Sequence, residues 1–140
     1  MNIVKRYRAC EKGTAALEFA IISPIFILVI MTLIAYGIYL SAAHSVQQIT
    51  ADAARTAIAG VTETEREQLV NNYITQSTIN DAFLDRSKFT ITVQADPTNS
   101  NQFTVSVAYD ATNLPIWDLY SYALPGKTIT RFATIRMGGI

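Results

Sequence analysis

The sequence predicts an α+β protein in which a long N-terminal transmembrane helix continues into a small extracytoplasmic domain with a second helix and a three-stranded antiparallel sheet. Three observations predict it. Between Glu18 and Asp52 no Asp, Glu, Lys or Arg occurs. Helical spacing of apolar residues then runs on to Gly60, and from Lys88 the hydrophobic period switches from that of a helix to that of a strand. The chain has 140 residues and a formal net charge of zero, but the zero is an average over unlike parts. Lys5, Arg6, Arg8 and Lys12 against Glu11 give the first twelve residues a net +3, while residues 52–140 hold seven basic and nine acidic side chains. The length excludes a large multidomain enzyme. The mildly acidic remainder offers no basic face for phosphates, so no nucleic-acid partner is expected.

Phe19 to Ala43 is a run of 25 residues without a formal charge. As a helix it measures roughly 37 Å, more than the about 30 Å of bilayer hydrocarbon, and so it spans with some tilt. The basic cluster before it places the N-terminus in the cytoplasm, and Tyr36 and Tyr39 suit the far interface. A cleaved secretory signal, with Ser41-Ala42-Ala43 as its cleavage site, is the rival reading, but signal h-regions are only about 7–15 residues long. Cys10 is the only cysteine and lies on the cytoplasmic side, where it stays reduced, so no disulfide supports the outer domain.

Glu18 stands just inside the apolar run, five residues after Gly13. A charged residue at mid-helix in a membrane costs about 2.5–3.5 kcal/mol, and such groups are usually paired and functional. The alternative is a helix-boundary residue that stays among the headgroups, favoured there by the helix dipole. The stretch from Gly13 through Thr14-Ala15-Ala16, Leu17, Glu18-Phe19 and on to Ser23-Pro24, behind a basic leader, resembles the class III signal of type IV pilin-like proteins. More narrowly it looks like the TadE/TadG-type pseudopilins of the Tad (Flp) pilus system. The resemblance covers residues 5–45 and is faint beyond.

That resemblance implies a pilin-like fold and cleavage by a prepilin peptidase between Gly13 and Thr14. It also implies a role in subunit registry and assembly for Glu18, with Phe19 beside it. The residues give each element a reason of its own. Gly13 lets the backbone fit closely into a protease cleft. Cleavage creates an α-amino group on Thr14, and a carboxylate in low dielectric is tolerable when such an opposite charge approaches it. Pro24 lacks an N–H and clashes with the carbonyl of Ala20, which predicts a helix kink at Ala20–Pro24, although proline is also simply frequent in membrane helices. Gly37 and Ser41 form a small-xxx-small spacing that permits close helix approach.

The expected organisation is a cleaved basic leader at 1–13, a transmembrane helix at 14–43, a helix extension at 44–60 and an α+β head at 61–140. A helix over 14–59 would measure about 69 Å. A break near His44 followed by an ordinary second helix is the alternative. Gly60 suits a C′ position. His44, the only histidine, reads as an interfacial polar residue, since zinc needs three or four convergent ligands. Thr62 and Glu65 form a capping box that opens a helix to about Leu84, with Leu69, Val70, Tyr73, Ile74, Ser77 and Phe83 on its inner side. Glu63, Glu65 and Glu67 read as a solvated first turn rather than a cation site.

Phe89, Ile91 and Val93 alternate with polar residues, Asp96 to Asn101 turns the chain, and Phe103, Val105, Val107 and Tyr109 alternate again, which is an antiparallel hairpin. A third strand over Thr128 to Arg136 completes a meander, covered on one face by the two helices. Between strands two and three, Leu114 to Pro125 is rich in aromatics. Trp117, Tyr120 and Tyr122 are candidate partner contacts, and a hydrophobic cluster under a crossover loop is the alternative.

No nucleophile–base pair, phosphate loop or metal motif is present in the sequence, so no enzymatic activity, no metal and no cofactor are expected. Aspartates at 81, 85, 96, 110 and 118 fall where capping and turn chemistry uses them. The reading that follows from the resemblance is a minor pilin, or pseudopilin, in assembly, priming or tip formation of a Tad/Flp type IV pilus for adhesion. Its partners would be prepilin peptidase, other Tad pilins and pseudopilins through the N-terminal helix, the inner-membrane assembly platform and membrane lipid. It would sit in the bacterial inner membrane as a single pass, cytoplasmic N-terminus first, with entry into a surface pilus left open. The alternative is an uncleaved single-pass inner-membrane protein whose periplasmic domain scaffolds or binds envelope partners.

Overall fold

In the computed structural model the described residues are 3–76, 84–120 and 124–138. The elements in chain order are α1 (Ile3–Ala57), α2 (Glu63–Gln76), β1 (Phe89–Ala95), β2 (Gln102–Asp110), the one-turn α3 (Trp117–Tyr120) and β3 (Thr128–Arg136), with single 3-10 turns at Arg86–Lys88 and Ala111–Asn113. The architecture is α+β, as the sequence predicts. The chain divides into two compact units, residues 1–37 and 38–140.

The first unit is one helix. α1 runs through Pro24 without interruption, and its large apolar side chains from Leu17 to Ile34 stand exposed. Such a surface has no stable place in water and an obvious one in hydrocarbon. Among the described residues α1 is the one helix long and apolar enough to cross a membrane. Within it the Thr32 hydroxyl donates to the Leu28 carbonyl at 2.8 Å. A hydroxyl placed in lipid thereby finds its partner in its own helix.

In the second unit α1 continues past His44 to Ala57. Its buried stripe there is Tyr39, Ala42, Ala43, Val46, Thr50, Ala53, Ala54 and Ala57, at the i, i+3, i+4, i+7 steps of one helix face. Alanines dominate it. The one polar member, Thr50, donates to the Val46 carbonyl at 2.7 Å. Tyr39, assigned above to the membrane interface, is instead 9% exposed and meets the Trp117 ring edge-on at 6.4 Å. A tyrosine at the end of an apolar run satisfies both patterns, and packing chose the second.

α1 ends at Ala57 in a tightened turn, in which the amides of Ile58, Ala59 and Gly60 donate three residues back. Gly60 does not serve as a left-handed C′ residue, because the one positive-φ glycine among the described residues is Gly138. Its task is close approach, since a Cβ there would lie 2.8 Å from Cγ of Arg66 and 2.9 Å from its amide nitrogen. The capping box forms as expected. The Glu65 amide donates to Thr62 Oγ1 at 3.2 Å, and Glu65 Oε2 accepts from the amides of Val61 and Thr62 at 2.9 and 3.3 Å. α2 buries Val70, Ile74 and also Arg66, while Leu69 and Tyr73 are half-buried. Its expected continuation to about Leu84, with Ser77 and Phe83, falls on residues 77–83, which lie outside the described residues, while Leu84 and Asp85 are not helical.

The sheet is a meander in the order β1-β2-β3. Phe89 pairs with Tyr109, Val93 with Val105, Val105 with Ala133 and Tyr109 with Ile129. Phe103, Val105, Val107 and Tyr109 of β2 are fully buried, with Val93 and Ile129 beside them, so the period of two translates directly into one inner and one outer face. α2 runs against β1. Its Glu63 carboxylate reaches the free amide of Ala95 at 2.9 Å.

Candidate functional site

The predicted site residues fall in both units. Gly13, Thr14, Glu18, Phe19 and Pro24 lie on the exposed stretch of α1. A Cβ on Gly13 would meet nothing within 4 Å, and Phe19 is 72% exposed. Thr14 and Glu18 are four residues apart and so share a helix face. Glu18 thus stands where the lipid-facing surface begins, on the same face as the residue whose amine cleavage at Gly13 would free.

The aromatic crossover is built differently. A 3-10 turn at Ala111–Asn113 is capped by Asp110, whose carboxylate accepts from the amide and the hydroxyl of Thr112. That turn aims the Ala111 carbonyl at the Trp117 indole, which donates to it at 2.6 Å. Trp117 is buried, with Tyr39 at its edge and Lys127 Nζ 5.7 Å from its ring centroid. Leu114 and Ile116 are buried beside it. The covered-cluster alternative therefore describes Trp117, whose face is not free for a partner. The side chain of Tyr120 and all of Tyr122 lie outside the described residues.

The acidic groups are occupied structurally. Asp85, Asp96 and Asp110 each stand two residues before a serine or threonine, and each accepts from that residue's amide and hydroxyl. These bonds hold all three carboxyls below the usual aspartate value. Glu65 is likewise lowered, first by the amides of Val61 and Thr62. With Glu63 on Ala95 and Glu65 in its cap, two of the three carboxylates that could have formed a cation site are engaged by amides. His44 is exposed. Among the described residues no group of three or more His, Cys, Asp or Glu is placed to hold a metal ion.

Sequence reasoning missed Arg66. Its guanidinium is buried without a carboxylate, with Nε donating to the Gly60 carbonyl at 3.0 Å, Nη2 reaching Met137 Sδ at 3.4 Å and the Phe103 ring centroid 4.5 Å away. It holds the α1–α2 turn to the sheet. The one sequence signal was Arg66 standing four residues before Val70 and eight before Ile74, on the apolar stripe of α2.

A single exposed apolar helix that runs on into an α+β head defines a membrane-anchored protein of one helix and one small domain. Residues 13–55, all within α1, match the family model described as TadE-like protein. Over that stretch the chain is similar to TadE-like proteins. No curated protein and no solved structure matches it.

Proposed function

We propose that the chain is a minor pilin, or pseudopilin, acting in assembly, priming or tip formation of a Tad/Flp type IV pilus. The observation that carries this reading is the similarity to TadE-like proteins, which begins at Gly13 and includes Glu18 at the start of an exposed apolar helix. Prepilin peptidase cuts between Gly13 and Thr14, and the discarded residues 1–13 carry the net +3 that orients the chain. Residues 14–140 hold seven basic against ten acidic side chains, a net charge of −3.

In the mature helix Glu18 is the fifth residue, within the positive end of the helix dipole. The new amine of Thr14 on a neighbouring subunit supplies the counter-charge that makes a carboxylate tolerable in the bundle, and Phe19 packs beside it. α1 continues through Pro24, whose missing N–H loosens the helix there and eases its exit from the bilayer. The partners are other Tad pilins and pseudopilins along α1, the inner-membrane platform and lipid, with the head on the periplasmic side.

Intact mass of the membrane-bound protein tests this. Loss of Met1–Gly13 is expected in cells with an active prepilin peptidase, and retention overturns the pilin reading in favour of an uncleaved envelope scaffold. Glu18→Ala is expected to insert normally but to be absent from sheared pili and from cross-linked pilin complexes. Normal incorporation of that variant removes Glu18 from the mechanism.

A further inference from the structure

The two edges of the sheet are finished differently. The Asp96 amide donates to the Gln102 carbonyl at 2.9 Å, which fixes the hydrogen-bonded pairs of β1 and β2 at even-numbered β1 residues. The odd residues Phe89, Ile91, Val93 and Ala95 therefore present their amides and carbonyls outward. α2 runs against β1, and at the end of that edge the Glu63 carboxylate accepts from the Ala95 amide.

On the other side the Ala111 amide donates to the Lys127 carbonyl at 2.7 Å and the Met137 amide to the Asn101 carbonyl at 2.6 Å. Odd-numbered residues of β3 hence bond to β2, and Thr128, Thr130, Phe132, Thr134 and Arg136 turn their backbone groups away from the sheet. Among the described residues, the nine of this edge strand have no neighbouring strand on their outer side. Phe132, at the midpoint, is 69% exposed.

An open edge of this length is a template for another strand unless it is blunted. Its one guard is Arg131, whose Nη1 donates to the outward Thr130 carbonyl at 2.8 Å. Among the described residues neither Arg131 nor Arg136 has a carboxylate within ion-pair distance, for the two ion pairs are Arg55–Asp52 and Lys88–Asp110. β3 itself carries two arginines and no carboxylate, with Arg131 on the half-buried inner face and Arg136 on the outer one. A neutral strand that paired here would displace Arg131 and leave it unmatched. A strand bearing carboxylates takes over the guanidinium as it takes over the Thr130 carbonyl.

We infer that β3 is a docking edge for an extended acidic segment of another protein, which adds to the sheet beside Thr130, Phe132 and Thr134, with its carboxylates on the face of Arg131 and its apolar residues on the face of Phe132. Backbone pairing supplies the register, Phe132 supplies apolar contact, and Arg131 selects charge. A second copy of β3 is the poorer occupant. An antiparallel self-pair brings the Arg131 side chains of the two copies onto neighbouring diagonal positions, and like charges there oppose pairing.

The test uses the full chain in detergent micelles and two synthetic peptides of about ten residues, one alternating glutamate with valine and one alternating lysine with valine, a length that matches one strand. Saturable fluorescence anisotropy is expected for the glutamate peptide alone, weakening as salt rises, with slowed amide exchange at Thr130, Phe132 and Thr134. Phe132→Pro deletes an outward amide and no bond to β2, an edge position that tolerates proline, and is expected to weaken binding roughly tenfold or more with the circular dichroism unchanged. Arg131→Glu is expected to turn preference toward the lysine peptide. Equal binding of both peptides, indifference to Phe132→Pro, or concentration-dependent self-association through β3 in place of peptide binding each overturns the proposal.

Discussion

The turn between α1 and α2 makes one position unusually sensitive to a single methyl group. Gly60→Ala puts a Cβ 2.8 Å from Arg66 Cγ, 2.9 Å from its amide nitrogen and 3.1 Å from its Cα. None of the three is free to give. The amide is bonded to the Thr62 carbonyl at 3.0 Å, and the side chain is tethered by its bond to the Gly60 carbonyl. Overpacking of this kind costs about 1–3 kcal/mol. In the other direction, replacing glycine where φ is not positive stabilises by about 0.4–1 kcal/mol through the unfolded chain. The clash wins, and a net loss of about 1–2 kcal/mol is expected. Trp117 is the only tryptophan and is buried in the head, so urea unfolding of the full chain in micelles, followed by its fluorescence, reads the effect as a lowered midpoint at unchanged slope. In an Arg66→Ala background the clash with Cγ disappears while the crowding against the backbone of residue 66 stays, so part of the loss is expected to persist. A Gly60→Ala protein within about 0.5 kcal/mol of the parent would refute the close-approach argument.

Trp117→Ala removes a buried indole, its bond to the Ala111 carbonyl and its contact with Tyr39, and is expected to cost about 3–5 kcal/mol, read as a fall in the thermal midpoint by circular dichroism. An unchanged midpoint with loss of a binding partner would return Trp117 to the role of docking residue. Thr62→Ala takes away the α2 cap and is expected to cost about 1 kcal/mol in the same urea assay. Thr64→Ala, exposed and outside the cap, should cost distinctly less. Glu65, Asp85, Asp96 and Asp110 all have folded values below their ordinary ones. Their contribution is therefore complete above the ordinary carboxylate range and lost as pH falls through the depressed values. Unfolding midpoints measured against pH should be flat near neutrality and decline in acid, and Asp96→Asn should shallow that decline. A midpoint that rises on acidification would contradict the bonding described for these groups.

Local signals carried far in this chain. The uncharged run before Asp52 reads as a membrane helix, and its large apolar side chains from Leu17 to Ile34 stand exposed as such a helix needs. Thr62 and Glu65 wrote out their own cap, and strict alternation at 89–93 and 103–109 fixed a hairpin whose two faces could be assigned without coordinates. The third strand was legible despite poorer alternation. Arg131 occupies an inward position and Phe132 an outward one, which blurs the pattern yet leaves the bounds Thr128 and Arg136 intact. Of the candidate site, the Gly13–Glu18 junction can be read from the sequence because it is a contiguous stretch, and the similarity to TadE-like proteins begins at it. The aromatic crossover was not, because the same tryptophan serves a docking loop or a covered cluster until its neighbours are known.

Sequence by itself thus determined what depends on neighbours in the chain: the anchor, its charge asymmetry, the cap, the strand periods and the resemblance at its N-terminal end. Tertiary structure decided what depends on residues brought together from afar. Tyr39 left the interface for Trp117, far along the chain. Gly60 proved to be a contact point rather than a left-handed cap, and Arg66 was buried against Phe103 and Met137. The meander set α2 against β1 and left β3 at the opposite edge. Hydrophobic periodicity reports which face of an element is buried, and it is silent on what that face is buried against.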